Sequence, residues 1–258
     1  MAVVMVTGGT RGVGAGIARA FLAEGAEVVV CARSAPEEPV SQGGRAARFL
    51  PLDVRDADAA GDLCAQVARE HGSLDVLVNN AGGSPYRPAA EGEARRHARV
   101  LELNLTAPLF VSRAAHAVMR GQPGGGAIVM IGSVSGDRPS PGTAAYGAAK
   151  AGLASLAGSL AVEWAEDGVR VNTVVAGMVR TELTELHYGD AEGVAAVGRT
   201  VPLGRLAEPR EVGEACVFLA SPERAGYITG AELAVHGGGE RPAFLAAANV
   251  NGQAGKPS

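Results

Sequence analysis

The residues best suited to proton transfer in this chain are the tyrosine and the lysine of the segment Tyr146-Gly-Ala-Ala-Lys150. Four residues apart on a helix, the phenol and the ammonium lie on one face. A free tyrosine has a pKa of about 10, and a neighbouring cation lowers it by stabilising the phenolate. We therefore expect Tyr146 to donate a proton to a carbonyl oxygen, or to accept one from an alcohol. Because this spacing also arises by chance in many helices, the interpretation depends on the surrounding residues.

A serine thirteen residues upstream supports the same chemistry. Ile131-Gly132-Ser133 ends an apolar run that is typical of a buried strand. The end of that strand would place the Ser133 hydroxyl beside the start of the Tyr146 helix. There it could hydrogen-bond a substrate oxygen and stabilise negative charge that develops during reaction.

A glycine-rich turn follows the first apolar run and opens a helical pattern, in the segment Thr7-Gly8-Gly9-Thr10-Arg11-Gly12-Val13-Gly14. Backbone N–H groups at such a helix start can face a pyrophosphate. By itself the spacing is weak evidence, since strand-to-helix turns often contain glycine for steric reasons alone.

The end of the second predicted strand bears on the choice of dinucleotide. An NAD site usually carries an acidic residue there, which accepts a hydrogen bond from the ribose 2′-OH. This strand ends Cys31-Ala32-Arg33-Ser34, and Arg33 and Arg11 could flank a 2′-phosphate instead. We therefore expect NADP(H) to be preferred. The alternative is that Arg33 is a solvated loop residue and that NAD(H) binds without a carboxylate.

Short apolar runs alternate with helical periodicity along most of the chain. Strands are predicted at residues 3–6, 27–31, 47–52, 74–78, 127–131, 169–175 and 232–235, and helices at 14–24, 56–70, 91–119, 144–165 and 209–220. Strands that are apolar on both faces are typical of a parallel sheet covered by helices. The sequence therefore predicts an α/β protein with a single-domain, doubly wound parallel sheet of the Rossmann type and helices on both faces.

The chain shows no repeat or composition break that would indicate a second domain. We expect one dinucleotide-binding and catalytic domain over residues 1–240, and a tail over 241–258 that is mobile or contacts a neighbouring subunit. Two internal stretches are weakly patterned. Residues 34–45 are expected to form a surface loop, and residues 182–200 a substrate lid at the carboxyl edge of the sheet.

Composition excludes several classes of function. Of the 258 residues, 47% are hydrophobic and 19% charged, and no run of about 18 apolar residues is present to span a bilayer. With a net charge of −4, nucleic acid is not an expected partner, and we interpret the cluster Arg95, Arg96, His97 and Arg99 as the solvated face of a helix. Three widely spaced cysteines and the lack of a targeting segment indicate a reduced cytoplasmic protein, with no metal site expected.

Several motifs together resemble the short-chain dehydrogenase/reductase family over residues 3–239. The family's catalytic Asn, Ser, Tyr and Lys match, in order and spacing, Asn104, Ser133, Tyr146 and Lys150. Its Asn-Asn-Ala-Gly segment matches residues 79–82. The resemblance implies a dinucleotide site formed by Gly8, Thr10, Arg11, Gly12, Val13, Gly14, Arg33, Asp53, Val54, Asn80, Ala81, Gly82, Tyr146, Lys150, Gly177, Val179 and Thr181.

The resemblance also implies individual roles. Asp53 would bond the adenine amino group, Asn80 would lie along the adenosine, and Thr181 would reach the nicotinamide carboxamide. Lys150 would also bind ribose hydroxyls, and Asn104 would hold a water in a proton relay. As alternatives, Asp53 caps or turns the chain, Asn80 braces the strand end and Asn104 satisfies a break in its helix.

Two positions depart from the family pattern. Ala176-Gly177 stands where the family often has Pro-Gly, and His236 stands where an acidic or amide residue is common. The first change predicts a less rigid turn after the sixth strand. The role of His236 stays open.

The helix that carries Tyr146 also predicts an oligomer. From Ala151 to Val162 it has no charged side chain. One stripe, formed by Ala149, Leu153, Leu156, Leu160 and Trp164, should pack on the sheet. A second face of small residues, Gly152, Ser155 and Ser159, should meet a symmetry mate. The family resemblance likewise implies a dimer or a tetramer.

The substrate is expected to be a small, neutral, moderately hydrophobic ketone or alcohol. The predicted pocket wall is mostly apolar and comprises Val134, Met178, Leu183, Leu186, His187 and Tyr188. The sequence thus indicates an oxidoreductase that transfers hydride between a nicotinamide dinucleotide and a carbonyl or secondary alcohol. The alternative is a nicotinamide-binding redox sensor without catalysis, which would be expected to lack Tyr146 or Lys150.

Overall fold

The computed structural model describes residues 1–242, so most of the expected tail lies outside the described residues. Seven parallel strands form one sheet in the order β5-β2-β1-β6-β7-β8-β9. Their bounds are β1 Val3–Thr7, β2 Glu27–Ala32, β5 Arg48–Pro51, β6 Val76–Asn79, β7 Gly126–Ser133, β8 Val169–Ala176 and β9 Glu232–Val235. This arrangement confirms the predicted doubly wound parallel sheet.

Helices cover both faces of the sheet. Strand side chains of one face pack against α1 (Gly12–Ala23) and α9 (Pro209–Ala220). Those of the other face pack against α2 (Ala57–His71), α4 (Ala107–Met119) and α6 (Ala144–Glu163). Helices α1 and α9 approach closely because both carry glycine at the contact. A Cβ on Gly16 would lie 2.3 Å from the Pro209 Cβ, and one on Gly213 would lie 2.7 Å from the Ala20 Cβ.

Some elements differ from the sequence-based expectation. The expected loop at 34–45 contains a two-stranded antiparallel ladder, β3 (Ser41–Gln42) with β4 (Arg45–Ala46). The expected lid contains two helices, α7 (Thr184–Tyr188) and α8 (Ala191–Thr200). Both stretches lack strong apolar periodicity because little of either is buried. Two short helices also escaped prediction, α5 (Val134–Asp137) and α10 (Pro222–Ala225).

The helix predicted at 91–119 is interrupted. It begins as α3 (Ala94–Leu101), widens into a π-helical turn over Glu102–Thr106, and continues as α4. A π-helical turn inserts one extra residue into the helix, and such turns are frequent at functional sites.

The sheet order places a ligand cleft. From β1 the chain proceeds to one edge through β2 and β5, then returns to the other side of β1 at β6. Neighbouring connections therefore diverge between β1 and β6, and ligands of doubly wound folds bind outside the carboxyl ends of the strands at such a point.

Two features are absent from the described residues. Over residues 1–242, no helix is both long and apolar enough to cross a membrane. In the same range, no three or more His, Cys, Asp or Glu side chains are grouped so that they could hold a metal ion.

Candidate active site

One cleft of about 970 Å³ follows the carboxyl ends of the strands. Every catalytic or dinucleotide-binding residue expected from the sequence lines it except Asn104, which is fully buried. The residues that line it are Gly8, Thr10, Arg11, Gly12, Val13, Gly14, Arg33, Asp53, Val54, Asn80, Ala81, Gly82, Ser133, Tyr146, Lys150, Gly177, Val179 and Thr181. Residues that are far apart in the sequence thus share one site.

The glycine turn leaves room that side chains would fill. Gly8 and Gly12 have φ values of +62° and +53°, in the left-handed region that favours glycine. A Cβ on Gly14 would lie 2.2 Å from the Gly8 carbonyl oxygen. Helix α1 starts at Gly12 with neither a side-chain cap from Arg11 nor an acidic residue in its first turn. Its first N–H groups and its positive dipole end are therefore available to an anionic ligand such as a pyrophosphate.

The Asn80 side chain supports this turn. Its amide nitrogen donates to the carbonyl oxygens of Thr7 at 2.9 Å and Gly8 at 3.1 Å. The backbone N–H groups of Asn80 and Ala81 both donate to the Thr7 hydroxyl at 3.0 Å. This network fixes the segment after β6 against the glycine turn, as the bracing alternative for Asn80 anticipated.

At the opposite end of the cleft, Asp53 is already paired. Its two carboxylate oxygens accept from Nε and Nη2 of Arg55 at 2.9 and 2.5 Å. These hydrogen bonds lower the pKa of Asp53 to about 2, and the charge of Arg33 contributes. Arg55 was not expected from the sequence, because nothing in the sequence shows that its guanidinium group binds the carboxylate of Asp53.

Strand β7 and helix α6 bring Ser133 and Tyr146 together. Ser133 ends β7 and caps α5, where its hydroxyl accepts from the Ser135 N–H at 3.1 Å. Tyr146 stands in the first turn of α6, and it lines the cleft together with Ser133. Two hydroxyl groups therefore converge where a substrate oxygen would need to bind.

Lys150 lies one turn further along α6 and is nearly inaccessible, with 5% of its surface exposed. Its ammonium donates to the Ile131 carbonyl oxygen at 2.7 Å and lies 5.5 Å from the centre of the Tyr146 ring. Burial lowers the pKa of Lys150 to about 8.

The expected lowering of the Tyr146 pKa is not found. Burial raises this pKa, and the influence of the Ser133 hydroxyl only partly opposes the rise. The Lys150 ammonium does not offset this rise; it lies by the Tyr146 ring and donates to the Ile131 carbonyl. The sequence-based expectation considered the charge of Lys150 and neglected the cost of burying a phenolate.

Asn104 lies in the π-helical turn and bonds the loop beside the cleft. Its side-chain oxygen accepts from the Gly83 N–H at 2.8 Å, and its nitrogen donates to the carbonyls of Gly83 and Val100, both at 2.9 Å. A Cβ on Gly82 would lie 2.5 Å from the Asn104 oxygen. Asn104 therefore bonds both a carbonyl of the widened helix and the backbone that follows β6, in line with the structural alternative considered for it.

The segment after β8 covers the glycine turn. Thr181 and Glu182 approach Gly12, so that a Cβ there would lie 3.5 Å from the Thr181 Cγ2. His236 packs against the turn that departs from the family pattern, with its Cα 2.7 Å from where a Cβ of Gly177 would lie. Any residue other than glycine at position 177 would therefore clash with His236.

The predicted pocket wall is only partly realised. Leu183 and His187 line the cleft, whereas Val134, Met178, Leu186 and Tyr188 are not among its lining residues. Leu186 is 79% exposed. Leu186, His187 and Tyr188 belong to helix α7, and successive residues of a helix point in different directions. Only His187 of these three therefore lines the cleft.

Helix α3 also contributes to the cleft. Arg95, Arg96 and Arg99 line it, although we expected this cluster to be a solvated helix face. The side chains are solvated, but their helix forms one wall of the cleft. The sequence does not show this, because the position of α3 beside the cleft depends on the path that the chain takes after β6.

The fold and this cleft define a class, the α/β oxidoreductases that bind a nicotinamide dinucleotide. A family model described as enoyl-(acyl carrier protein) reductase matches residues 8–240. Cis-4-hydroxycyclohexanecarboxylate dehydrogenase of Sinomonas cyclohexanicum is 39% identical over 92% of this chain and 95% of its own length. A 3-oxoacyl-acyl-carrier-protein reductase of Vibrio harveyi is 38% identical over 92% and 96%.

A solved structure gives the same result. The ligand-free aldohexose dehydrogenase of Thermoplasma acidophilum superimposes with a TM-score of 0.84 at 31% identity, covering 92% of this chain and 93% of that one. The chain belongs to the short-chain dehydrogenase/reductase family. It is an NAD(P)-dependent oxidoreductase that interconverts carbonyl and alcohol groups. The comparisons give no support to the alternative of a redox sensor without catalysis.

Proposed function

We propose that this enzyme interconverts a secondary alcohol and a ketone with NADP(H) as the preferred dinucleotide and Tyr146 as the general acid and base. The observation that carries the proposal is the convergence of Ser133, Tyr146 and Lys150 in the cleft that the glycine turn also lines. A bound nicotinamide supplies or accepts the hydride.

In this proposal each polar group has a separate task. Tyr146 donates its proton to the carbonyl oxygen during reduction and takes the hydroxyl proton during oxidation. Ser133, which lines the cleft together with Tyr146, binds the same oxygen and stabilises its partial negative charge. Lys150 provides positive charge beside the phenol and binds ribose hydroxyls. Asn104 holds a water that connects Lys150 to solvent.

The dinucleotide would lie along the cleft from Asp53 to Thr181. N–H groups at the start of α1 bind the pyrophosphate, with Thr10, Arg11 and Val13 around it. Asp53 and Val54 adjoin the adenine, and the segment from Asn80 to Gly82 supports the adenosine ribose. Gly177, Val179 and Thr181 adjoin the nicotinamide.

The preference for NADP(H) rests on charge at the adenosine end. Arg11 and Arg33 line the cleft, and the nearby carboxylate of Asp53 is bound by Arg55 rather than free for a ribose hydroxyl. A 2′-phosphate would meet two guanidinium groups, which bind phosphate with fork geometry. A ribose without that phosphate would gain nothing from them.

Around the reacting carbon we propose a neutral, moderately hydrophobic substrate. Leu183 and Val100 provide apolar surface in the cleft, and His187 a polar edge. The relatives named above are a dehydrogenase of a hydroxylated cyclohexane and a reductase of a 3-oxoacyl group, which are both consistent with a secondary alcohol or ketone.

We further propose a homo-oligomer, a tetramer or a dimer, that assembles through α6 and resides in the cytoplasm. Ala149, Leu153, Leu160 and Trp164 pack into the core as predicted, whereas Ser155 and Ser159 are exposed and Val162 is 79% exposed. A second subunit would cover this uncharged surface. Cys31, Cys64 and Cys216 are free and buried, which is consistent with a reducing compartment. Light scattering that found a monomer would contradict the assembly.

The test is a panel of alcohols and ketones followed at the nicotinamide absorbance band with both dinucleotides. We expect turnover of at least one secondary alcohol or ketone, with the lower KM for NADP(H). Dinucleotide binding without turnover of any compound would instead favour the sensor.

A further inference from the structure

Helix α3 carries an unusual charge pattern for its position. Its sequence, Ala-Arg-Arg-His-Ala-Arg-Val-Leu, has three arginines and no acidic residue, and none of its residues is buried. All three arginines line the catalytic cleft. We refer to Arg95, Arg96 and Arg99 as the α3 arginines.

The local charge balance is strongly positive. One carboxylate, that of Glu93, accepts from Arg95 at 2.7 and 3.0 Å and lies 3.7 Å from Arg96. In the described part of the chain, Arg99 makes no ion pair within 4.0 Å. Three guanidinium groups thus share a single counter-charge at the rim of the cleft.

The whole cleft has the same sign. Seven cationic side chains line it against three acidic ones, although the chain as a whole has a net charge of −4. A cleft with low-dielectric walls focuses such a field and concentrates anions. The cleft therefore favours ligands that carry negative charge.

The dinucleotide does not account for the α3 arginines. Its phosphates would be bound by the glycine turn, Arg11 and Arg33, which follow β1 and β2. Helix α3 follows β6 and packs against α6, the helix of Tyr146. Arg96 also borders a small cavity formed with residues 142–145, directly before Tyr146. Arg96 accordingly stands beside the approach to the proton donor, and Arg99 lies about one turn further along the same helix.

We propose that the α3 arginines bind an acidic group, a carboxylate or a phosphate, that the substrate carries away from its reacting carbon. This inference rests on the proposed function and revises its substrate in one respect: the part around the reacting carbon is neutral, and a remote acidic group makes the whole molecule an anion. The carbon skeleton near Tyr146 stays neutral, while the distant acid meets guanidinium groups that bind carboxylate and phosphate with paired N–H donors.

The experiment compares a charged compound with a neutral counterpart, cis-4-hydroxycyclohexanecarboxylate and its methyl ester, which also carries one additional methyl group. Each is titrated calorimetrically, at low and high salt, into the full-length enzyme saturated with the reduced dinucleotide, which cannot accept hydride from the alcohol. The variant is Arg96→Gln with Arg99→Gln, and the control is Arg19→Gln, an exposed arginine of α1 outside the cleft. Affinity for the dinucleotide alone is measured for all three proteins.

We expect the wild-type enzyme to bind the carboxylate more tightly than the ester, and this preference to shrink with salt. The double variant should lose about tenfold in carboxylate affinity, as expected for two exposed charges, with no change for the ester or the dinucleotide. Absence of a preference for the carboxylate in the wild type overturns the inference. A loss confined to dinucleotide affinity also overturns it, since the arginines would then serve the cofactor. Because binding is the readout, neither result depends on turnover, which tests the proposed function separately.

Discussion

The Lys150 ammonium lies 5.5 Å from the centre of the Tyr146 ring, one helical turn away on the same face of α6. Burial disfavours the charged form of both groups, so it lowers the pKa of Lys150 and raises that of Tyr146. The phenol is therefore protonated at neutral pH, which is the form that donates to a carbonyl oxygen. The proton donor is in place before any substrate arrives.

Replacing Lys150 by methionine should stabilise the fold at neutral pH while it abolishes activity. A folded-state pKa of about 8 against 10.5 corresponds to about 3 kcal/mol of destabilisation by the buried charge. The variant leaves the Ile131 carbonyl without its donor, a loss of about 1 kcal/mol. We expect a net gain of about 2 kcal/mol in urea unfolding at pH 7.

The stability difference between Lys150→Met and the wild type should depend on pH. Below pH 8 the lysine is charged in both states, so the full destabilisation is present. Between pH 8 and 10.5 the unfolded chain binds more protons, and wild-type stability from this group rises with pH. The advantage of Lys150→Met should therefore narrow over that range. An advantage that stays constant from pH 7 to 10 would contradict the assigned burial.

Replacing Arg33 by alanine should weaken NADPH selectively. Removing one guanidinium from a 2′-phosphate should raise the KM for NADPH about tenfold, as expected for a hydrogen bond to a charged group. The KM for NADH should not change. Arg48→Ala removes an exposed arginine of β5 outside the cleft and should leave both constants unchanged. A wild-type enzyme that clearly prefers NADH would refute the assigned role of Arg33.

Replacing Gly14 by alanine should disrupt the dinucleotide site. The added Cβ would lie 2.2 Å from the Gly8 carbonyl oxygen and 2.5 Å from the Asn80 side-chain nitrogen, so the turn must shift. We expect dinucleotide affinity to fall by at least about tenfold, as a shift of the phosphate-binding turn implies. The control is Gly61→Ala in α2, where nothing lies within 4 Å of the new Cβ. That change should stabilise the protein by about 0.5–1 kcal/mol and leave binding intact.

The sequence predicted the sheet and most of the cleft because those features are encoded locally. Apolar runs report buried strands wherever they occur, and the glycines of residues 8–14 follow the first of them directly. The parallel sheet then brings all strand ends to one edge, which explains why Ser133 and Tyr146 meet the turn of Gly12.

What sequence reasoning missed depends on contacts between distant segments. The π-helical turn at Asn104 is fixed by bonds to Gly83 across a loop. The orientation of the α3 arginines toward the cleft follows from tertiary placement rather than periodicity. The pairing of Asp53 with Arg55 is local, but periodicity does not report a hydrogen bond between side chains two positions apart. The pKa of Tyr146 was misjudged for the same reason, because the burial of a side chain cannot be read from its neighbours in sequence.

The most direct test of the mechanism is Tyr146→Phe, which removes one oxygen atom and keeps the ring beside Lys150. We expect turnover to fall by at least about 100-fold, the scale of general acid catalysis, while calorimetric affinity for the dinucleotide stays within a factor of about two. Ser133→Ala should reduce turnover in the same assay without affecting dinucleotide binding. Turnover of Tyr146→Phe near the wild-type rate would contradict the assignment of Tyr146 as the proton donor.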